Sequence, residues 1–259
     1  MSLPNPLEMI DVKGRVGLIT GASGASAAFG AVAARMLAGA GCRLVLAAGK
    51  RSELAAIAAE CREGGAEVVG VKRRPDQEAA CDGLVAAAVR AIGGLDILVV
   101  ASGMNKVARI DDMAPEVFLS VMDANVTQSW RLARAATKQM KTQGWGGKIK
   151  LGHPAGYTAC CASKAAVDGM TMALGYELGP SGITVNAIAP TVFRSALTAW
   201  MFEDNANARA VRAGFLARVP KGRLGEPEGL AGPLLFQAPK APDFHTGHIP
   251  YADGGYTAG

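Results

Sequence analysis

The feature that most constrains the fold is a series of short segments that are apolar nearly throughout instead of at every second position. Residues 16–20, 43–47, 67–71, 95–101, 183–187 and 249–252 read as strands of this kind. A strand without alternation is buried on both faces, as in a parallel sheet covered by helices. Between these runs lie longer stretches with helical periodicity, at 28–40, 52–63, 77–92, 115–143 and 158–178. Ser52 is a candidate N-cap, and Gly64-Gly65, Gly93-Gly94 and Gly179-Pro180 are stop signals. Strands alternating with helices require crossover connections. The expected architecture is therefore α/β: a Rossmann-type doubly wound parallel sheet in a three-layer αβα sandwich. No linker or shift of composition divides the chain, so residues 1–259 are expected to form one domain.

Composition excludes several classes of protein. Half of the 259 residues are hydrophobic and 19% are charged, ample for a large core. Thirty-three Gly and thirteen Pro occur without any G-X-Y period, which excludes a fibrous chain. The longest apolar stretches fall well short of the ~20 residues of a membrane helix. The first residues lack the basic and apolar blocks of a secretory signal. Five Cys without a C-x-x-C spacing do not form a disulfide framework. These observations imply a reducing, cytoplasmic setting. The net charge is +5, with one dense basic cluster, Lys72-Arg73-Arg74. Nucleic-acid surfaces repeat cations along one face and interleave aromatics. Aromatics are only 5% here and none is near that cluster, so no nucleic-acid partner is expected. No metal-ligand spacing is present either.

Thr20-Gly21-Ala22-Ser23-Gly24 follows the first strand and precedes a helix. That is the setting of a phosphate-binding turn, in which glycines let the backbone approach and the helix end supplies N–H groups. A plain strand-to-helix turn has the same composition. After the second strand the chain reads Ala47-Ala48-Gly49-Lys50-Arg51, with two cations where an acid would select NAD. Lys50 or Arg51 could hold a 2′-phosphate, or both could be ordinary charges at a helix start.

Several segments in the correct order resemble the short-chain dehydrogenase/reductase family, from about Val12 to Gly259. Thr20-Gly21 opens the family's glycine motif, and Ala28-Phe29-Gly30 occupies the place of its closing G-x-G, about three residues late. Val100-Ala101-Ser102-Gly103 stands at the family's N-N-A-G. Asn125 matches its active-site asparagine, and Ser163-Lys164-Ala165-Ala166-Val167 its catalytic-lysine segment. Val185-Asn186-Ala187-Ile188-Ala189-Pro190 is similar to its sixth strand, Ser195 stands where a Thr bonds the nicotinamide amide, and Tyr251-Ala252-Asp253-Gly254-Gly255 resembles its C-terminal signature.

The resemblance implies a small-molecule oxidoreductase that moves hydride between NADP or NAD and an alcohol or ketone, with NADP favoured by Lys50 and Arg51. Its cofactor residues would be Gly21, Ser23, Gly24, Gly30, Lys50, Arg51, Ala101, Gly103, Lys164, Pro190, Val192 and Ser195. Arg74 is near where the family carries an adenine-binding Asp. The family's oligomeric habit implies a homotetramer or dimer. Leu132, Ala133, Ala135 and Ala136, and Ala165, Ala166, Met170 and Ala173, are faces suited to packing between copies.

The catalytic pattern departs from the family. A Tyr is expected four residues before the Lys, where the ammonium lowers the phenol pKa, and a Ser about a dozen residues upstream. Here Cys160 holds the first position, and no Ser lies between Ser129 and Ser163. The catalytic candidates are Lys164, Asn125, Cys160 and Tyr157, the last a replacement acid or a packing residue. Gly147-Lys148-Ile149-Lys150-Leu151-Gly152 alternates Lys with apolar residues, a poor pattern for a central parallel strand. It suggests that a segment carrying most of the fifth strand and its Ser is missing. Two alternatives stand beside the impaired oxidoreductase: a catalytically silent binding or scaffold protein, and a hydrolase or lyase using Cys160 with His153 as base. Residues 191–214 are the expected lid, with Phe193, Leu197, Trp200, Met201 and Phe202 as an apolar wall and Glu203-Asp204-Asn205 as its polar end.

Overall fold

The computed structural model describes residues 10–22, 29–104, 106, 112–144, 146–152, 158–195, 198–239 and 244–258, with 149–152 and 158–161 as backbone. The elements are β1 (Val16–Thr20), α1 (Phe29–Gly39), β2 (Arg43–Ala48), α2 (Arg51–Glu63), β3 (Val68–Lys72), α3 (Glu78–Ile92) and β4 (Ile97–Val100). Then follow α4 (Pro115–Met122), a π turn (Asp123–Thr127), α5 (Gln128–Gln143), β5 (Gly147–Gly152), α6 (Thr158–Leu178) and β6 (Ile183–Pro190). The last are α7 (Ala206–Leu216), α8 (Ala231–Gln237) and β7 (Tyr251–Ala252). The strands pair in parallel in the order β3-β2-β1-β4-β5-β6-β7. The doubly wound sheet expected from the non-alternating strands is present.

Both faces of the sheet are covered. Leu18, Val45, Leu98 and Val185 pack with Leu84 of α3, Leu132 and Met140 of α5 and Val167 of α6. On the other face Ile19, Leu44, Leu46, Ile97 and Val99 pack with Leu37, Leu54 and Leu234 from α1, α2 and α8. Each fully buried aliphatic side chain contributes about 1.5–3 kcal/mol relative to its exposed state. The entry to β4 is held by polar groups: Asp96 Oδ2 accepts from Val16 N at 2.7 Å, and the Gln143 amide exchanges two hydrogen bonds with the Leu95 backbone.

Four expectations need correction. First, β5 is a full six-residue strand between β4 and β6, with Lys148 opposite Ile97 on one side and Thr184 on the other. Lys148 is itself buried. Ladder hydrogen bonds come from the backbone, and a lysine stem is four methylenes that tolerate burial. The alternation therefore did not exclude a central strand. Second, the stretch 115–143 is interrupted by the π turn, and α7 and α8 were missed.

Third, Leu132, Ala133, Ala135 and Ala136 lie in the chain's own core and are not available to another copy. Fourth, Lys50, and not Ser52, is the N-cap residue of α2. Among the described residues no helix is long and apolar enough to cross a membrane. Cys42, Cys61 and Cys81 are free and buried. Burial pushes the Cys42 thiol up to about 12 and Cys81 to about 11, with Cys61 also raised.

Candidate active site

The chain leaves β1 toward β2 and β3, then returns to β4 on the other side, so the carboxyl ends of β1 and β4 flank the point where strand order reverses. Open α/β sheets carry their crevice at this point. Gly21, directly after β1, has a φ of +69°, and a Cβ there would lie 2.6 Å from the Ala101 carbonyl carbon and 2.7 Å from Ser102 N. At the start of α1, a Cβ on Gly30 would lie 2.5 Å from the Gly21 carbonyl carbon. Ala22 N donates to Ala47 O at 3.3 Å, and the Thr20 and Ser102 hydroxyls share a bond of 3.1 Å. Bare backbone from β1 and β4 thus converges with the amino end of α1. Only residues without side chains allow the backbone to pack this closely where a phosphate-binding turn would lead into a helix. Ser23 and Gly24 lie outside the described residues.

Toward β2 the charges are distributed differently from the sequence expectation. Lys50 is 69% exposed at the side chain and pairs with Glu53 at 3.0 Å. Glu53, one turn along the helix, thus engages one of the two cations. Arg51 is exposed in the first turn of α2. The basic cluster after β3 does not act as a unit. Arg73 lies over Gly83 of α3, whereas Arg74 crosses to the backbone of Gly49.

On the other side of the crevice Asn125 joins three elements. Its Oδ1 accepts from Met104 N at 2.8 Å, and its Nδ2 donates to Met104 O and to Ser163 Oγ, each at 3.0 Å. The π turn places Asn125 there, and Ser129 Oγ donates to the Asn125 carbonyl at 2.8 Å. Single π turns inside α-helices occur frequently at functional sites. The bond to Ser163 fixes α6 beside the loop after β4, next to Lys164, and all three side chains are buried. One turn beyond Lys164, burial raises the Asp168 carboxyl above its usual range, against the pull of the Lys164 ammonium. Cys160 lies on α6 one turn before Lys164, with only its backbone described; Tyr157 and His153 are outside the described residues. Sequence reasoning found Asn125 and Lys164 but missed Ser163 as their link, because a serine beside a lysine carries no signal of its own.

Pro190 ends β6 and Val192 is buried just beyond. The Ser195 hydroxyl is tied to the Thr198 hydroxyl at 3.0 Å, and Thr198 Oγ1 donates to Phe193 O at 2.5 Å. The segment expected to be a lid has a small core of Val192, Met201 and Leu224, against which Phe202, Val211 and Phe215 pack. Phe193 is buried with its ring edge-on to Phe29 of α1 at 6.1 Å. The residues expected at the lid's polar end, Glu203-Asp204-Asn205, are exposed and make local bonds. Asn205 Oδ1 caps α7 through Ala208 N at 2.8 Å, and Asp204 pairs with Arg209 at 2.5 Å. Leu197 is outside the described residues. Among the described residues no group of three or more His, Cys, Asp or Glu could hold a metal ion.

Comparison with known proteins agrees with this geometry. A family model described as enoyl-(acyl carrier protein) reductase matches residues 24–257. The chain is 47% identical over 249 residues to an uncharacterized oxidoreductase of Mycobacterium tuberculosis H37Rv, covering 93% of this chain and 90% of that one. It is 34% identical over 254 residues to a 3-oxoacyl-[acyl-carrier-protein] reductase of Rickettsia bellii, covering 95% and 98%. Among solved structures, a putative short-chain alcohol dehydrogenase from Sinorhizobium meliloti superposes with a TM-score of 0.89 at 32% identity, over 96% and 99% of the two chains. A gluconate 5-dehydrogenase from Burkholderia cenocepacia in complex with NADP and tartrate gives a TM-score of 0.89 at 27% identity, over 98% and 100%.

Proposed function

Because the chain belongs to the short-chain dehydrogenase/reductase family, a family of NAD(P)-dependent oxidoreductases, we propose that it interconverts a small alcohol and ketone with NADP as the preferred cofactor and a slow proton relay. The observation that carries this reading is the close backbone convergence of Gly21, Gly30 and Ala101 at the strand-order reversal, where a Cβ on either glycine would collide with the neighbouring backbone. When bound, the nicotinamide supplies or takes up the hydride. Gly21, Ser23, Gly24 and Gly30 would hold the pyrophosphate. Ala101 and Gly103 would line the floor of the crevice, and Pro190, Val192 and Ser195 would border the nicotinamide.

Lys164 would bind the nicotinamide ribose, and Asn125 would hold the loop after β4 in place. Cys160, at i−4 from Lys164, shares a helix face with it. A thiol is a weak hydrogen-bond donor and shorter than a phenol, so it relays a proton poorly. Loss of a positioned general acid commonly costs about 10²–10⁴ in rate. Tyr157 is the remaining candidate for that acid.

The chain would act as a homo-oligomer through the outer face of α6, where Ala165, Gly169, Met172, Ala173 and Tyr176 are exposed at helical spacing. Fluorescence titration of the protein with NADPH and NADH tests the reading. Saturable binding, tighter for NADPH, is expected; absence of binding to either overturns it.

A further inference from the structure

We infer that Arg74, seated on Gly49, is the residue that recognises the adenosine 2′-phosphate and so sets the preference for NADPH. The inference rests on the dinucleotide reading above and deepens it. Gly49 directly follows β2, and the preceding strand residue Ala48 is in register with Lys72 at the end of β3. Arg74 emerges two residues later and lies across the Gly49 backbone. A Cβ on Gly49 would collide with Arg74 Nε and approach its Cγ and Cζ to 3.2 Å each. Gly49 is not among the glycines with positive φ, so no turn requires it there. The space left by its missing side chain is the space Arg74 occupies.

Position and charge point to the same ligand. The end of β2 is where a doubly wound dinucleotide fold meets the adenosine ribose. The end of β2 is tied to the phosphate turn through the hydrogen bond from Ala22 N to Ala47 O, so Arg74 and the Gly21 turn are parts of one surface. Of the cations nearby, Lys50 already pairs with Glu53, Arg73 lies over α3 and Arg51 is exposed in the first turn of α2, whereas Arg74 is the one that fills the space beside Gly49. Arg74 is exposed and has no ion pair with any carboxylate among the described residues. Its planar guanidinium, seated beside the bare Gly49 backbone, carries paired N–H donors of the kind that bind a phosphate dianion in bidentate fashion. A ribose hydroxyl offers no negative charge to such a group.

The test is equilibrium titration of the full chain, Arg74→Ala, Gly49→Ala and the double variant with NADPH and NADH. The competitors are 2′,5′-ADP and 5′-AMP. Arg74→Ala is expected to weaken NADPH and 2′,5′-ADP by about tenfold to a hundredfold, the range for a hydrogen-bonded charged pair. NADH and 5′-AMP should change by less than about threefold, since the lost contact is one they never make. Gly49→Ala should act in the same direction by displacing the guanidinium, with no added effect in the Arg74→Ala background. Equal losses for both dinucleotides would assign Arg74 to adenine stacking and overturn the inference. So would additive effects of the two substitutions, or unchanged NADPH binding. If the unaltered chain binds neither dinucleotide, the dinucleotide reading itself fails, which is a different result.

Discussion

Gly30, at the start of α1, rests on the backbone of Gly21 so closely that a single added methyl would lie 2.5 Å from the Gly21 carbonyl carbon and 2.8 Å from Ala22 N. This contact sets how near the amino end of α1 comes to the end of β1, and hence the shape of the crevice. Gly30→Ala must push the helix outward, and small-to-large changes in a packed site cost about 1–3 kcal/mol. Gly21→Ala should cost more, because its φ of +69° adds strain to the clash with Ala101. Gly232 of α8 is the control, since a Cβ there meets nothing within 4 Å. Gly232→Ala should leave stability unchanged or raise it by up to about 1 kcal/mol. Thermal unfolding and NADPH titration of the three variants check the ranking.

Asn125 is expected to be the most sensitive polar position near Lys164. Asn125→Ala removes the partner of Met104 N, Met104 O and Ser163 Oγ together. Each hydrogen bond lost costs about 0.5–1.5 kcal/mol. Asn125→Asp keeps the acceptor for Met104 N but loses the donors to Met104 O and Ser163 and sets a buried carboxylate against the Met104 carbonyl, so it should destabilise at least as much as Ala. Denaturant unfolding of both variants gives the comparison.

The outer face of α6 should hold copies of the chain together. Tyr176 is 91% exposed and Met172 55%. A charge placed between them, Ala173→Asp, should shift sedimentation toward the 26.5 kDa monomer, whereas Ala133→Gly, inside the core, should lower stability without changing assembly. A native chain that sediments only as a monomer would contradict the assignment.

Two carboxylates should make the fold sensitive to acid. Glu60 is held below its usual range by the Arg35 guanidinium, which makes bonds of 2.7 and 2.9 Å across α1 and α2. For Asp253 burial acts upward, but hydrogen bonds from Thr257 Oγ1, Gly255 N and Thr257 N outweigh it and hold the carboxyl low. A depressed folded-state pKa gives stability that is present above the unfolded value and lost as pH falls through the folded one. Stability should therefore decline below about pH 4. The decline should be shallower in Glu60→Gln and Asp253→Asn, as melting curves across that range would show.

The sheet was legible because burial on both faces writes an unbroken apolar run, as in Val16–Thr20 and Ile97–Val100. β5 was not, since Lys148 and Lys150 imitate an exposed strand while the backbone pairs on both edges. The π turn at Asp123–Thr127 leaves no trace in a helical pattern that continues through it. Gly21, Gly30, Asn125 and Lys164 could be found from motifs, being fixed by local backbone needs or family spacing. The pairing of Gly49 with Arg74 could not, because it is made by the register of β2 against β3.

The most direct measurement is the rate of NADPH oxidation with a simple 3-oxo ester such as ethyl acetoacetate, by the chain and by Cys160→Tyr side by side, with NADPH affinity measured for both. A phenol one turn before Lys164 should raise the slow native rate by at least about tenfold, part of the 10²–10⁴ that a general acid supplies, and leave NADPH affinity unchanged. A native rate in the ordinary enzymatic range of about 1–10³ s⁻¹, not increased by Cys160→Tyr, would contradict the account of the proton relay.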